Sequence, residues 1–134
     1  MRRIESLYTR DYLGKNRLLL LFAPSARGPT CEAQMRFFEG EDEEFERRNI
    51  VLGTIYVEGT SRIGDRNLEH VEVVGLREDF GVDRDDTVLV LLDKDGTELM
   101  RDSGVVQPER IYGYIDQPPS EPVSAPERNT ARDR

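Results

Sequence analysis

A single thiol is the most reactive group this sequence offers. Cys31 lies in the stretch from Asn16 to Gln34, NRLLLLFAPSARGPTCEAQ, where an apolar run passes through a Pro/Ser/Gly loop into a helix-forming segment. Pro24, Ser25, Ala26, Arg27, Gly28 and Pro29 are turn chemistry, and Thr30 is a fair N-cap for a helix beginning at Cys31 or Glu32. A thiol in the first turn of a helix, with Arg27 nearby, has its pKa lowered from about 8.5 by the helix dipole and the guanidinium, which yields the thiolate that attacks. The competing reading is structural. At about 100° per residue, Cys31, Met35, Phe38 and Phe45 share one narrow apolar face, where a cysteine is a small buried hydrophobe. The balance favours the buried thiol. With one cysteine in 134 residues there is no internal disulfide, and dithiol exchange lacks the second thiol that resolves a mixed disulfide.

Other candidates are weaker. His70, the lone histidine, follows Glu69 and precedes Glu72, and reads as a surface or strand-edge imidazole rather than a base. The sequence offers no Cys/His cluster for zinc, no phosphate-cradling Gly-rich loop and no Ser–His–Asp signature. The acidic run Glu39–Glu46 lacks the alternating ligand spacing of a calcium loop and reads as a solvated face. No metal and no cofactor is expected.

The net charge of −8 leaves no basic stripe for phosphate neutralisation, which argues against a nucleic-acid partner. No stretch approaches the ~20 apolar residues of a membrane span. Arg2 and Arg3 open the chain as a signal peptide does, but Glu5 and Asp11 interrupt it and Leu18–Phe22 is too short for an apolar signal core. The expected home is the reducing cytoplasm.

The elements that must position the thiol follow from period and punctuation. Ile4, Leu7, Tyr8 and Tyr12 suggest a short amphipathic helix ended by Gly14. Leu18–Phe22 is an unbroken apolar run that suits a central strand covered on both faces. The helix after it is expected to kink or break at Gly40. Ile50–Val57 reads as a second strand, with Gly53 marking a close approach or bulge. Glu58–Asn67 reads as a polar loop, Leu68–Val74 as a short edge strand or the lead-in to a helix, and Leu76–Phe80 as a short helix stopped by Gly81. Thr87–Leu92 and Thr97–Arg101 flank Asp93-Lys94-Asp95-Gly96 as a hairpin. Pro108 opens a last helix, Glu109–Asp116, closed by Pro118 and Pro119.

The order β-α-β-α-β-β-α describes an α/β, thioredoxin-like three-layer sandwich: a mixed four- to five-stranded sheet with helices on both faces. The expected organisation is one domain over residues 1–117 and a disordered Pro/Glu/Arg-rich tail over residues 118–134, which has too little apolar surface to offset its ordering entropy.

A set of short matches runs along the chain in order: Asn16-Arg17, Phe22-Ala23-Pro24-Ser25-Ala26, Gln34, Glu46 with Arg48 before Ile50-Val51, Leu76-Arg77 with Phe80-Gly81-Val82, Lys94-Asp95-Gly96, and Ile115-Asp116 before Pro118. In these residues the chain resembles the bacterial thioredoxin-like domain-of-unknown-function family 4174, which is related to domains of animal matrix and sushi-repeat proteins. The matches cover Asn16 to about Pro119. Where the family often continues Met-Pro-Met, this chain reads Gln117-Pro118-Pro119.

That family is similar to peroxiredoxins, and the similarity supplies two registers for the loop. Laid on a thioredoxin loop, Gly28-Pro29 falls between the two thiol positions, which Arg27 and Thr30 then occupy. Laid on a peroxiredoxin loop, Pro24-x-x-x-Gly28-x-x-Cys31 puts Cys31 at the peroxidatic position, with Gly28 where a Thr or Ser is usual. The supporting arginine expected just before the Thr87–Leu92 strand is replaced by Asp85-Asp86-Thr87, with Arg84 slightly early. The resulting expectation is a thioredoxin-fold module that binds a protein partner. The alternative is a single-cysteine peroxidase in which Cys31 meets a small oxidant and Arg27 or Arg84 supports the thiolate.

Overall fold

Residues 6–116 are described in a computed structural model. Leu18–Phe22 lies within β1, Arg17–Ala23, whose last six residues are all buried. β1 pairs in parallel with β2, Ile50–Tyr56, from Arg17 opposite Ile50 to Ala23 opposite Tyr56. On its other side it pairs antiparallel with β5, Val88–Leu92, from Leu18 opposite Leu92 to Phe22 opposite Val88. The unbroken apolar run is explained by this central place, because alternate side chains enter two different cores. Leu18, Leu20 and Phe22 meet Val73, Leu76 and Phe80 in one. Leu19, Leu21 and Ala23 meet Cys31, Phe38, Phe45 and Ile111 in the other. Both faces are dry, so neither needs a polar alternation.

The sheet has six strands in the order β4-β3-β2-β1-β5-β6, where four to five were expected. The extra pair lies inside the expected loop 58–67: β3, Arg62–Ile63, and β4, Arg66–Asn67, form a small ribbon turned by Gly64 at φ +60. Two residues per strand carry no readable period. Gly53 is a point of close approach: a β-carbon there would stand 2.8 Å from Leu20 Cδ2 and 3.1 Å from Ile63 Cγ1.

α1, Pro29–Phe38, and α2, Asp42–Arg47, are separate helices divided at Gly40, whose φ is +81. The break is the expected one, and it lets Phe38 and Phe45 meet edge to face at 5.5 Å. α1 starts at Pro29, ahead of the expected start at Cys31 or Glu32. Gly28 occupies the N-cap position and Pro29 the first helical one, so Thr30 lies inside the helix and makes no capping bond. Proline is pre-organised for that first position, since it gives up an N–H that would have no partner there.

α3, His70–Phe80, is a single helix: of the two readings of Leu68–Val74 the lead-in to a helix holds and the edge strand does not, and the short helix expected over Leu76–Phe80 is its second half. Its start is fixed by Glu72 Oε1, which accepts from the Glu69 N–H at 3.0 Å, and its end by Gly81 at φ +66. The buried face is Val73, Leu76, Arg77 and Phe80, a helical i, i+3, i+4, i+7 spacing that the nearby valines mask. β6, Glu98–Asp102, returns antiparallel to β5 through the turn Asp93–Gly96, with a bulge between Leu91 and Leu92. α4, Pro108–Asp116, lays Ile111 into the second core.

Before β1 there is one 3₁₀ turn, Arg10–Tyr12, instead of the amphipathic helix expected over residues 1–15, of which residues 1–5 lie outside the described segment. Gly14, at φ +79, ends it and donates its N–H to the Lys94 carbonyl at 2.7 Å. The expected tail, 118–134, also lies outside the described residues.

Candidate functional site

The thiol stands where the carboxyl ends of β1 and β2 meet the first turn of α1. The Val57 N–H donates to the Ala23 carbonyl at 3.2 Å and the Glu58 N–H to the Pro24 carbonyl at 2.9 Å, so the two strand ends leave the sheet tied together. Ser25 Oγ accepts from the Arg27 N–H at 3.2 Å and closes a short turn. The Gly28 carbonyl then accepts from the Glu32 N–H at 2.9 Å, the first bond of α1. This loop sets Cys31 as the third helical residue.

Cys31 is 1% exposed and packed in the second core. Its Sγ lies 3.8 Å from the Tyr56 hydroxyl. Burial pushes the thiol above its ordinary pKa, and the Glu32 carboxylate adds to that rise; the Tyr56 hydroxyl alone opposes it. Tyr56 is raised to about 12, by burial first and then by Cys31. The pair is therefore a neutral thiol and a neutral phenol at pH 7. No guanidinium stands among the groups that shift the sulfur. Arg27 is exposed on its turn, and Arg84 is exposed on the loop after α3. The site thus brings Cys31 to Tyr56, while Pro24, Ser25, Gly28 and Thr30 serve as the partly buried loop and helix start beside it.

Tyr56 also borders a cavity of about 370 Å³ on the α3 side of the sheet, lined among others by Ser61, His70, Val73, Arg77 and Arg84. His70 is exposed here as the first residue of α3. Arg77 is 7% exposed. Its Nη1 donates to the Ile55 carbonyl at 3.4 Å and its Nη2 to the Asp83 carbonyl, which ties α3 to the end of β2 and to the following loop. Its Nε is buried and makes no hydrogen bond among the described residues. Tyr56 and Arg77 are the residues a reading of types and spacing misses. A usable signal for Arg77 is its position: a charge at i+4 from Val73, on the face that carries Leu76 and Phe80.

Among the described residues no group of three or more His, Cys, Asp or Glu side chains could hold a metal ion. The acidic run is mostly the surface of α2, and its Glu44 pairs with Arg48 at 2.8 Å. No helix among the described residues is long and apolar enough to cross a membrane.

Comparison with solved structures finds the same fold in redox proteins. A reduced 2-Cys peroxiredoxin of Plasmodium vivax matches with a TM-score of 0.58 at 18% identity, over 80% of this chain and 79% of that one. Thioredoxin peroxidase I of Plasmodium yoelii matches with a TM-score of 0.57 at 17% identity, over 80% and 75%. A putative thioredoxin of Neisseria meningitidis, solved in solution, gives 0.50 at 16% identity, over 86% and 85%. At these identities the likeness is one of fold, and the chain is an α/β protein of the thioredoxin-like class. No curated protein matches it. The model of the family described as Domain of unknown function (DUF4174) matches residues 9–122, which span every strand and helix above, and the chain belongs to that family.

Proposed function

We propose that this chain is a thioredoxin-fold binding module without thiol turnover, working on a protein partner in a reducing compartment such as the cytoplasm. The observation that carries the reading is the state of its one thiol: Cys31 is 1% exposed, and burial raises its pKa. A peroxidatic sulfur must be a thiolate near neutral pH and must be reachable by the oxidant, since the thiolate is the attacking species. A single sulfur also has no internal partner to resolve a mixed disulfide.

The test is the rate of Cys31 alkylation against pH in the native protein, together with a peroxide pulse in the presence of a sulfenic-acid trap. The expected result is slow native labelling with an inflection above the ordinary thiol range, and no trapped sulfenic acid. An inflection below about pH 7, with peroxide reduction that disappears in Cys31→Ala, overturns the reading and makes the chain a single-cysteine peroxidase, with Arg27 or Arg84 as the cation to examine next.

A further inference from the structure

We propose that the cavity between the first turns of α3 and residues 56–61 is a binding site for a small organic oxyanion, a carboxylate or phosphate on a short apolar body, held by Arg77 and Arg84. The inference is independent of Cys31, which does not line this cavity.

Three observations converge. The first is the Arg77 guanidinium, which lines the cavity on a side chain 7% exposed and whose Nε–H, sealed from solvent, has no hydrogen-bond partner among the described residues. A guanidinium buried with too few acceptors is costly, and an anion in the cavity beside it offsets that cost through its charge. Guanidinium cannot shed its proton to escape that cost. Nη1 and Nη2 each give one hydrogen, to the Ile55 and Asp83 carbonyls respectively, which fixes the plane of the guanidinium before any ligand arrives and leaves each of them a second N–H.

The second observation is charge. The chain carries a net −8, yet the lining of this cavity includes Arg77, Arg84 and His70 and no Asp or Glu. Arg84 makes no ion pair among the described residues and lies close enough to Arg77 to disfavour its charge, a repulsion that an anion between them relieves. Asp83 and Asp86 act on Arg77 in the opposite sense, but neither lines the cavity.

The third is shape. A volume of about 370 Å³ lies within the roughly 300–1,000 Å³ range of small-molecule pockets. Its lining is mixed: Leu68, Val73 and Val74 offer apolar contact, and the two arginines offer charge. An anion with a short branched or aromatic body satisfies both. A bare inorganic ion satisfies only the second, and the −8 of the whole chain works against collecting it from a distance.

The experiment is titration of the full chain with 3-methylbutanoate and, separately, with inorganic phosphate, at constant ionic strength against chloride, following the Arg77 Nε–H resonance by NMR. Saturable movement of that resonance with either probe is expected, weakened about tenfold in Arg84→Gln, which removes one charge-assisted contact from an exposed residue that the fold does not need. Preference for the carboxylate over phosphate assigns the head group and its apolar body, and the reverse preference assigns a phosphate head; both support the site. No saturable movement with either probe up to about 50 mM overturns the proposal, because a built site of this size holds its ligand more tightly than that. So does saturation left unchanged by Arg84→Gln.

Discussion

Gln34 holds the backbone of Val106 with both ends of its carboxamide. Nε2 donates to the Val106 carbonyl at 2.8 Å, and Oε1 accepts from the Val106 N–H at 2.7 Å. Both residues are 1% exposed, so one side chain from α1 serves the loop between β6 and α4 as a neighbouring strand would. Replacing it with leucine keeps most of the volume and leaves a buried donor and a buried acceptor unmet, at about 1–3 kcal/mol each. Gln34→Leu is expected to lower the melting temperature by about 6 °C or more. Amide exchange at Val106 should quicken in step, and a variant as stable as the parent would show that this clamp contributes nothing.

The Cys31–Tyr56 pair predicts the direction of an alkaline effect. Both pKa values are raised in the folded chain, the thiol above its ordinary 9.0 and the phenol from 10.0 to about 12. Between the unfolded and folded values the unfolded chain binds fewer protons, so stability falls as pH rises. The contribution of each group is full below its unfolded pKa and is lost on passing upward through its folded one. Denaturant midpoints measured from pH 8 to above pH 10 should decline in the wild type and decline less in Cys31→Ala. Tyr56→Phe removes the hydroxyl that draws the thiol pKa down, so its alkylation inflection should move still higher.

An acid-side effect comes from Arg48. Its guanidinium grips Asp116 through two bonds of 3.0 and 2.7 Å, reaches Glu44 at 2.8 Å, and covers the ring of Tyr112 at 4.0 Å. Lysine has neither the fork nor the flat face for this arrangement. Arg48→Lys is expected to lower the melting temperature at pH 7 by about 3 °C. The Arg48 bonds hold the Asp116 and Glu44 carboxyls below their ordinary pKa values. Their contribution is therefore present above the unfolded carboxylate pKa and lost as pH falls through the folded one, and the gap between the two proteins should close toward about pH 2.

The ring of Tyr8 occupies the space above Gly75. A β-carbon on that glycine would stand 2.2 Å from Tyr8 Cε2. Alanine normally gains up to about 1 kcal/mol over glycine inside a helix. Here Gly75→Ala should instead lose stability, because the ring must leave the apolar face of α3, against which it packs. The sign should reverse in a Tyr8→Ala background, where the helix gain is no longer opposed. A double-mutant cycle reads that reversal directly, and additive effects would show that ring and helix do not meet.

The parts legible in the sequence were those where one local signal had no competitor. Leu18–Phe22 had no polar alternation and is the central strand; Gly40 divides α1 from α2; Asp93–Gly96 turns the last hairpin. Gly53 marked a close approach, and Cys31 shared the apolar face of Phe38. For α3 the alternation of Leu68, His70 or Val71, and Val73 allows an edge strand as readily as the lead-in to a helix, and only the fold shows Val71 facing solvent. β3 and β4 are too short to carry a period at all. Tyr56 beside Cys31 could not be seen, and Arg77 showed only as a charge on the apolar face of α3, not as part of a cavity. Each depends on side chains brought together from different elements, 25 residues apart in the first case, and no spacing along one element encodes such a meeting.

The two borders of the sheet have a consequence for how the molecule behaves in a crowd. A free strand edge is a template on which another chain can add itself by backbone pairing. On one side the row ends in β4, two exposed residues long, too short to nucleate a partner strand. On the other it ends in β6, beside a bulge and carrying Glu98 paired with Arg101 at 2.9 Å and Asp102 paired with Arg110 at 2.7 Å. Adding a strand there means fitting a broken register and stripping water from charges already matched. The protein therefore resists growth into edge-to-edge fibrils, and concentrated solutions should remain free of dye-binding cross-β aggregates for as long as the native sheet persists.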